Sequence, residues 1–69
     1  MSIVEDVADE LAQKTLKLEA ETGNEKLVTE VADAIGNSSP TMQEAFLTQV
    51  RIRRAERRAL EVLAKRGSA

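Results

Sequence analysis

From Ser39 to Arg66 the chain runs without a glycine, and its one proline, Pro40, stands at the entrance of that run. Proline breaks a helix interior but is tolerated at the first helical position, so nothing here interrupts a helix once it has begun. Two start signals overlap. Ser39 precedes Pro40, and Thr41-x-x-Glu44 has the form of a capping box, in which a hydroxyl and a carboxylate satisfy orphan N–H groups of the first turn. A single helix of about 26 residues follows, roughly 39 Å long at 1.5 Å per residue. A compact fold of 69 residues has a radius of gyration near 11 Å and hence a diameter of about 28 Å. The helix overshoots its own domain, and the rest of the chain must be arranged along part of it.

Two shorter helices are expected before it. Ser2 and Glu5 fit a capping box, starting a first helix over about 3–21. Its apolar positions Val4, Val7, Ala8, Leu11, Thr15 and Leu18 recur three or four apart on one stripe, with Ile3, Ala12 and Leu16 at the margins. Gly23 suits the left-handed conformation that ends a helix, and Asn24 is a good N-cap for the next. A second helix over about 25–35 presents Leu27, Val28, Val31 and Ile35, closed by Gly36-Asn37. No segment alternates apolar and polar residues as a half-buried strand would. The fold class is therefore all-α: a three-helix arrangement, with a helical hairpin packed on a long C-terminal helix over about 40–66. Residues 1–69 form one small domain, with 67–69 as a flexible tail. So short a chain buries only roughly 60% of its unfolded surface, so its stability margin is small.

On the long helix, Met42, Phe46, Val50, Leu60 and Ala64 fall in one band about 80° wide, which Ala45, Ile52, Ala59 and Leu63 extend. The expected core is Val4, Val7, Leu11, Leu18, Leu27, Val28, Val31, Ile35, Met42, Phe46, Val50, Leu60 and Leu63. Gln49, Arg53 and Glu56 project from the same band and divide it into a Phe46 patch and a Leu60–Leu63 patch. Arg53 and Glu56, three residues apart, can pair with each other. The polar layer is either a partly exposed helix middle or a register-setting layer in a helical interface.

Charge is divided along the chain. Residues 1–44 carry ten acidic side chains against Lys14, Lys17 and Lys26, a balance of −7. Residues 45–69 carry seven basic ones against Glu56 and Glu61, a balance of +5. Arg51, Arg54, Arg58 and Lys65 share a sector of the long helix about 60° wide, a basic ridge able to neutralise phosphates. No aromatic residue interleaves with the arginines to stack on bases, and the overall isoelectric point is 5.1. The alternatives are a solvated face, or ion pairs to the acidic first helix of the same or another chain.

Chemistry is narrowly bounded. There is no Cys, His, Tyr or Trp, which removes thiolate sites and disulfides together with the commonest general base and metal ligand. Asp6, Asp9 and Glu10 are the nearest approach to an oxygen-ligand metal site, and one exposed helix turn supplies too few convergent ligands. Their placement suits the positive end of the helix dipole. Ser38 and Ser39 lie before a helix N-terminus without a base in any recognisable motif, so they are expected to be a cap and its neighbour. No catalytic, cofactor-binding or metal residue is therefore assigned. No window approaches a membrane span, and the acidic start is unlike a signal peptide, so cytoplasmic residence is the default.

Nothing in the residues names a reaction or a ligand. The function expected is that of a small helical protein–protein interaction or self-assembly module, with Arg53, Glu56, Leu60 and Leu63 as partner-binding residues. The alternative is a small nucleic-acid-associated protein using Arg51, Arg54 and Arg58. A homodimer through two antiparallel long helices would bring the Phe46 end of one chain to the Leu60 and Leu63 end of the other and let Arg53 pair with Glu56 across the two-fold. An unidentified protein partner on the same apolar end is the heteromeric form.

Overall fold

The computed structural model describes residues 2–67 and contains three helices, α1 (Ile3–Thr22), α2 (Leu27–Gly36) and α3 (Pro40–Gly67), with no strand among the described residues. The first and second helices both pack against the long third one. Of the expected tail, Gly67 is the last residue of α3, and Ser68 and Ala69 lie outside the described residues.

The helix ends follow from local chemistry. The Ser2 hydroxyl accepts the Glu5 N–H at 3.2 Å and starts α1, and Gly23, at φ 73°, ends it by donating its N–H to the Glu19 carbonyl. Of the two candidate caps for α3, Ser39 is the one used: its Oγ accepts the Met42 N–H at 3.1 Å, with Pro40 in the first turn. Asn24 does not cap α2 directly. Its Oδ1 accepts the Lys26 N–H at 3.0 Å in a turn that precedes the helix, and Lys26 occupies the cap position with no side-chain bond. Gly36 and Asn37 do close α2, with Asn37 as the C-cap donating its N–H to the Asp33 carbonyl at 3.2 Å, but neither is left-handed, since Gly23 is the only described residue with positive φ. What Gly36 supplies is space. A Cβ there would lie 2.5 Å from Gln43 Nε2, the atom that donates to the Ala32 carbonyl and ties α3 to α2.

Phe46 is wholly buried and forms one cluster with Ala12, Leu16, Val28, Ala32 and Val50. Leu11, Val31, Ile35 and Leu47 pack around that cluster half-buried. Here α1 departs from expectation. Its buried residues are Ala8, Ala12, Thr15 and Leu16, while Val7 and Leu18 are exposed. At 100° per residue the buried face is turned by about 75° from the stripe of larger residues. Alanines without bulk allow α1 to approach the Phe46 ring closely, and Thr15 can be buried because its hydroxyl donates to the Leu11 carbonyl at 2.7 Å.

The second departure is on α3. Leu60 and Leu63, expected in the core, are 58% and 66% exposed. No residue of 55–67 is buried: over these last 13 positions of α3, about 20 Å of helix, Glu56, Arg57 and Leu60 line an open groove beside α1 without being covered by it. The molecule measures 48 × 30 × 13 Å with a radius of gyration of 13.7 Å, larger than the ~11 Å of a compact chain of this length. Its thickness matches two helices stacked about 8–10 Å apart and no more.

Because the core is one cluster around one aromatic residue, Phe46→Ala is expected to cost about 3–5 kcal/mol. A domain of this size has only about 3–10 kcal/mol in total at roughly 0.05–0.15 kcal/mol per residue. Urea denaturation followed by circular dichroism should show the variant largely unfolded without denaturant; a loss below ~1 kcal/mol would place Phe46 outside the core.

Candidate functional site

Along α3 the side chains divide into three sectors. Phe46 and Val50 lie about 40° apart and point into the core. Ile52, Ala55, Ala59, Val62 and Leu63 lie in a band about 100° wide, centred nearly opposite. Ile52, Val62 and Leu63 are each more than half exposed, and Ala55 and Ala59 are exposed between them. Leu60 stands apart from this band, lining a shallow groove between α1 and α3 with Gln13, Leu16, Lys17, Arg53, Glu56 and Arg57. Periodicity merged these two faces into one stripe. They separate because the sector that continues from Phe46 and Val50 is occupied by arginines.

Those arginines close the buried face. Arg53 makes a two-pronged contact with Asp9 of α1, Nε to Oδ1 at 3.0 Å and Nη2 to Oδ2 at 2.9 Å, and its Nη1 lies 3.4 Å from Glu56 Oε1. Gln13 adds a third bond to the same Asp9 carboxylate, at 3.0 Å. Arg54 reaches Glu19 at 3.1 Å, and the Glu19 side chain is largely buried. The two acids are ten residues apart on α1, whereas their arginines are neighbours on α3. Adjacent helical side chains diverge by 100°, so the pair of arginines reaches both ways along α1 and fixes it against α3.

The arrangement answers several expectations. Arg53 and Glu56 do pair at i, i+3, but Arg53 is chiefly the anchor of α1 in its own chain. Phe46, fully buried, cannot meet the Leu60–Leu63 end of a second chain, so the antiparallel pairing through that face is not available to this fold. Of the basic ridge, Arg51 and Arg58 are exposed and Arg54 is half-buried against Glu19. Among the acidic residues considered for a metal, Asp9 is held by Arg53, and Glu10 is paired with Lys14 at 2.9 Å. Among the described residues no three metal-ligating side chains of the His, Cys, Asp or Glu types converge, and no helix is long and apolar enough to cross a membrane.

Ile52 was not singled out by sequence as a partner-contacting residue, nor were Asp9 and Glu19 as the partners of specific arginines. The signal for the first was present, since residues 52, 55, 59 and 62 follow the 3–4 spacing of a helical seam. The second had only the coarse charge division of the chain.

The hydrogen bonds from Arg53, with a further one from Gln13, hold the Asp9 carboxyl below the usual carboxylate range against the opposing effect of its burial. The Arg53 guanidinium is in turn held above its ordinary value, chiefly by the Asp9 hydrogen bond. A depressed folded-state value means that the unfolded chain takes up the proton first as pH falls. The pair's contribution to stability is therefore complete above about pH 4 and is lost as pH drops through the folded value. Asp9→Asn is expected to be less stable than the parent at neutral pH and to lose less stability between pH about 5 and 2. Parallel acid-dependence curves for parent and variant in urea denaturation would contradict the role given to this pair.

No protein-family model, no curated protein and no solved structure matches this chain.

Proposed function

We propose that this chain is a small helical protein–protein interaction or self-assembly module, acting in the cytoplasm without catalytic activity, and that its docking element is the projecting end of α3. The observation that carries this is the combination of exposure and apolarity over residues 52–63: Ile52 at 52%, Leu60 at 58%, Val62 at 56% and Leu63 at 66%. An isolated helix shorter than about 12–15 residues is marginal in water, and most helices in proteins depend on packing of an apolar face. The final turns of α3 have such a face and no packing for it. Lys65 and Arg66 in the last turn match the negative end of the helix dipole, which favours the helix slightly without covering its leucines. An apolar patch of this kind on a small soluble chain is the usual mark of a binding surface.

Binding of nucleic acid through Arg51, Arg54 and Arg58 has less to support it. Arg54 is engaged by Glu19, and the acidic α1 lies beside the ridge and would repel a polyanion.

Two measurements test the proposal. Light scattering after size exclusion, at micromolar and at hundreds-of-micromolar chain, is expected to give a mass above one chain at the higher concentration. Leu63→Glu is expected to hold the mass at one chain with an unchanged thermal midpoint, because Leu63 contributes nothing to the core. A single-chain mass for the parent at both concentrations would leave only a different protein as partner. For the nucleic-acid alternative, binding to duplex and single-stranded DNA across a salt series should remain weak and shallow; a steep loss of affinity with salt, relieved by Arg51→Ala and Arg58→Ala, would favour phosphate contacts instead.

A further inference from the structure

Steps of three and four residues alternate along the outer face of α3 through Ala45, Thr48, Ile52, Ala55, Ala59 and Val62. This 3.5-residue repeat is the spacing that keeps one face of a helix against the face of another over several turns. The core of the chain does not use it. Phe46 and Val50 leave α3 on nearly the opposite side, and of the six seam residues Ala45 is half-buried and the others are exposed. The apolar stripe at the end of α3 thus continues about two turns toward its N-terminus, facing away from α1 and α2.

Charge along its edges distinguishes between the ways a second α3 could lie on it. One edge carries Glu44, Arg51, Arg58 and Lys65, and the other Gln49, Glu56 and Leu63. In a parallel, in-register pair each edge meets the opposite edge of the second helix. Arg51 then meets the partner's Glu56, the aliphatic stem of Arg58 lies on the partner's Leu63, and Glu44 meets the partner's Gln49. A two-fold repeats each contact, so the edges hold opposite-charge pairs and no like-charge pair. In an antiparallel pair like edges meet. With the helices fully overlapped, Glu44 would face the partner's Lys65 but Arg51 would face the partner's Arg58, and the attraction is offset. Slipping that pair by two turns either sets Arg58 against its own copy or leaves Val62 and Leu63 uncovered.

Resting on the proposal that the end of α3 is the docking element, we infer that its occupant is α3 of a second copy of this chain, parallel and in register, with Arg51 of each chain paired to the partner's Glu56. The same patch meets itself across a two-fold that runs along the seam, so the contact closes at two chains. Alanines at 45, 55 and 59 let the axes approach to about 8 Å. Glu56, whose side chain is 56% exposed and lies 3.4 Å from Arg53, has room to accept from a second arginine. Arg66 meets its own copy at the C-terminal end, where the negative ends of two helix dipoles offset the repulsion. Leu63→Glu still weakens this pair, because a rim ion pair to the partner's Arg58 contributes less than the leucine burial it replaces.

The chain has no cysteine, so single cysteines report the order of the helices. Thr48→Cys and Ala59→Cys lie on the seam about 16 Å apart along α3, and Thr29→Cys, exposed on α2, is the reference. In a glutathione redox buffer at hundreds-of-micromolar chain, Thr48→Cys alone and Ala59→Cys alone are each expected to form a disulfide-linked pair of chains in large excess over Thr29→Cys. An equimolar mixture of the two, read by mass spectrometry, should give the two like pairs and almost no mixed pair. Predominance of the mixed pair would overturn the parallel order and leave self-association through α3 standing. No excess over Thr29→Cys in either variant, with the parent at one chain by light scattering, would overturn the second copy as occupant and leave the docking role of α3 to a different protein. Arg51→Glu, which sets acid against the partner's Glu56, is expected to raise the dissociation constant about tenfold at low salt; an unchanged constant would overturn the assigned pairing.

Discussion

The contact of Arg53 and Arg54 with Asp9 and Glu19 is the constraint from which the shape of this protein follows. It holds α1 across α3 just beyond Val50, and it ends the buried face of α3 at that point. N-terminal to it, one aromatic ring and a set of small and branched side chains make a core. C-terminal to it, no described residue of the same helix is buried, and Leu60 only lines an open groove against α1. Charge-assisted, two-pronged arginine–carboxylate contacts have the directional specificity to make such a boundary, where a leucine continuing the stripe would have let the hairpin slide along α3.

The alanine face of α1 is the complement of that boundary. Ala8 and Ala12 are fully buried while Val7 and Leu18 on the same helix are exposed. Bulk on the packing side would hold α1 away from Phe46. With small residues there, Phe46 and Val50 can be fully buried beside Leu16, Val28 and Ala32, while Ile3, Val7 and Leu18 of α1 are left facing outward. The fold thus buries little and leaves Ile52, Val62 and Leu63 of α3 exposed.

Much of the architecture was legible in the residues. Ser2, Gly23 and Ser39 mark helix ends because each satisfies a particular backbone group, and helix boundaries fell within two residues of the observed ones. The Phe46, Val28, Val31 and Ile35 packing was legible from spacing alone. Two matters were not. Periodicity ranks a stripe by its largest side chains, so Ala8 and Thr15 on the α1 stripe, and Ala12 and Leu16 at its margins, were left out of the expected core in favour of Val7 and Leu18. Nor can it show where a neighbouring helix stops, so Leu60 and Leu63 were placed in a core that does not extend to them. The ion pairs that set that limit join residues 44 and 35 positions apart, a separation at which the charge division of the chain predicts the sign of a contact but not its partners.

The central claim is that α3 is supported by its own chain only as far as the arginine pair, and beyond it by association. Native-state amide hydrogen exchange, followed residue by residue at micromolar and at near-millimolar chain, tests this most directly. Protection at Phe46 and Val50 should be high and the same at both concentrations, while protection over residues 55–64 should be low when dilute and rise as the concentration rises. Equal protection along the whole of α3, unchanged on dilution, would contradict the account.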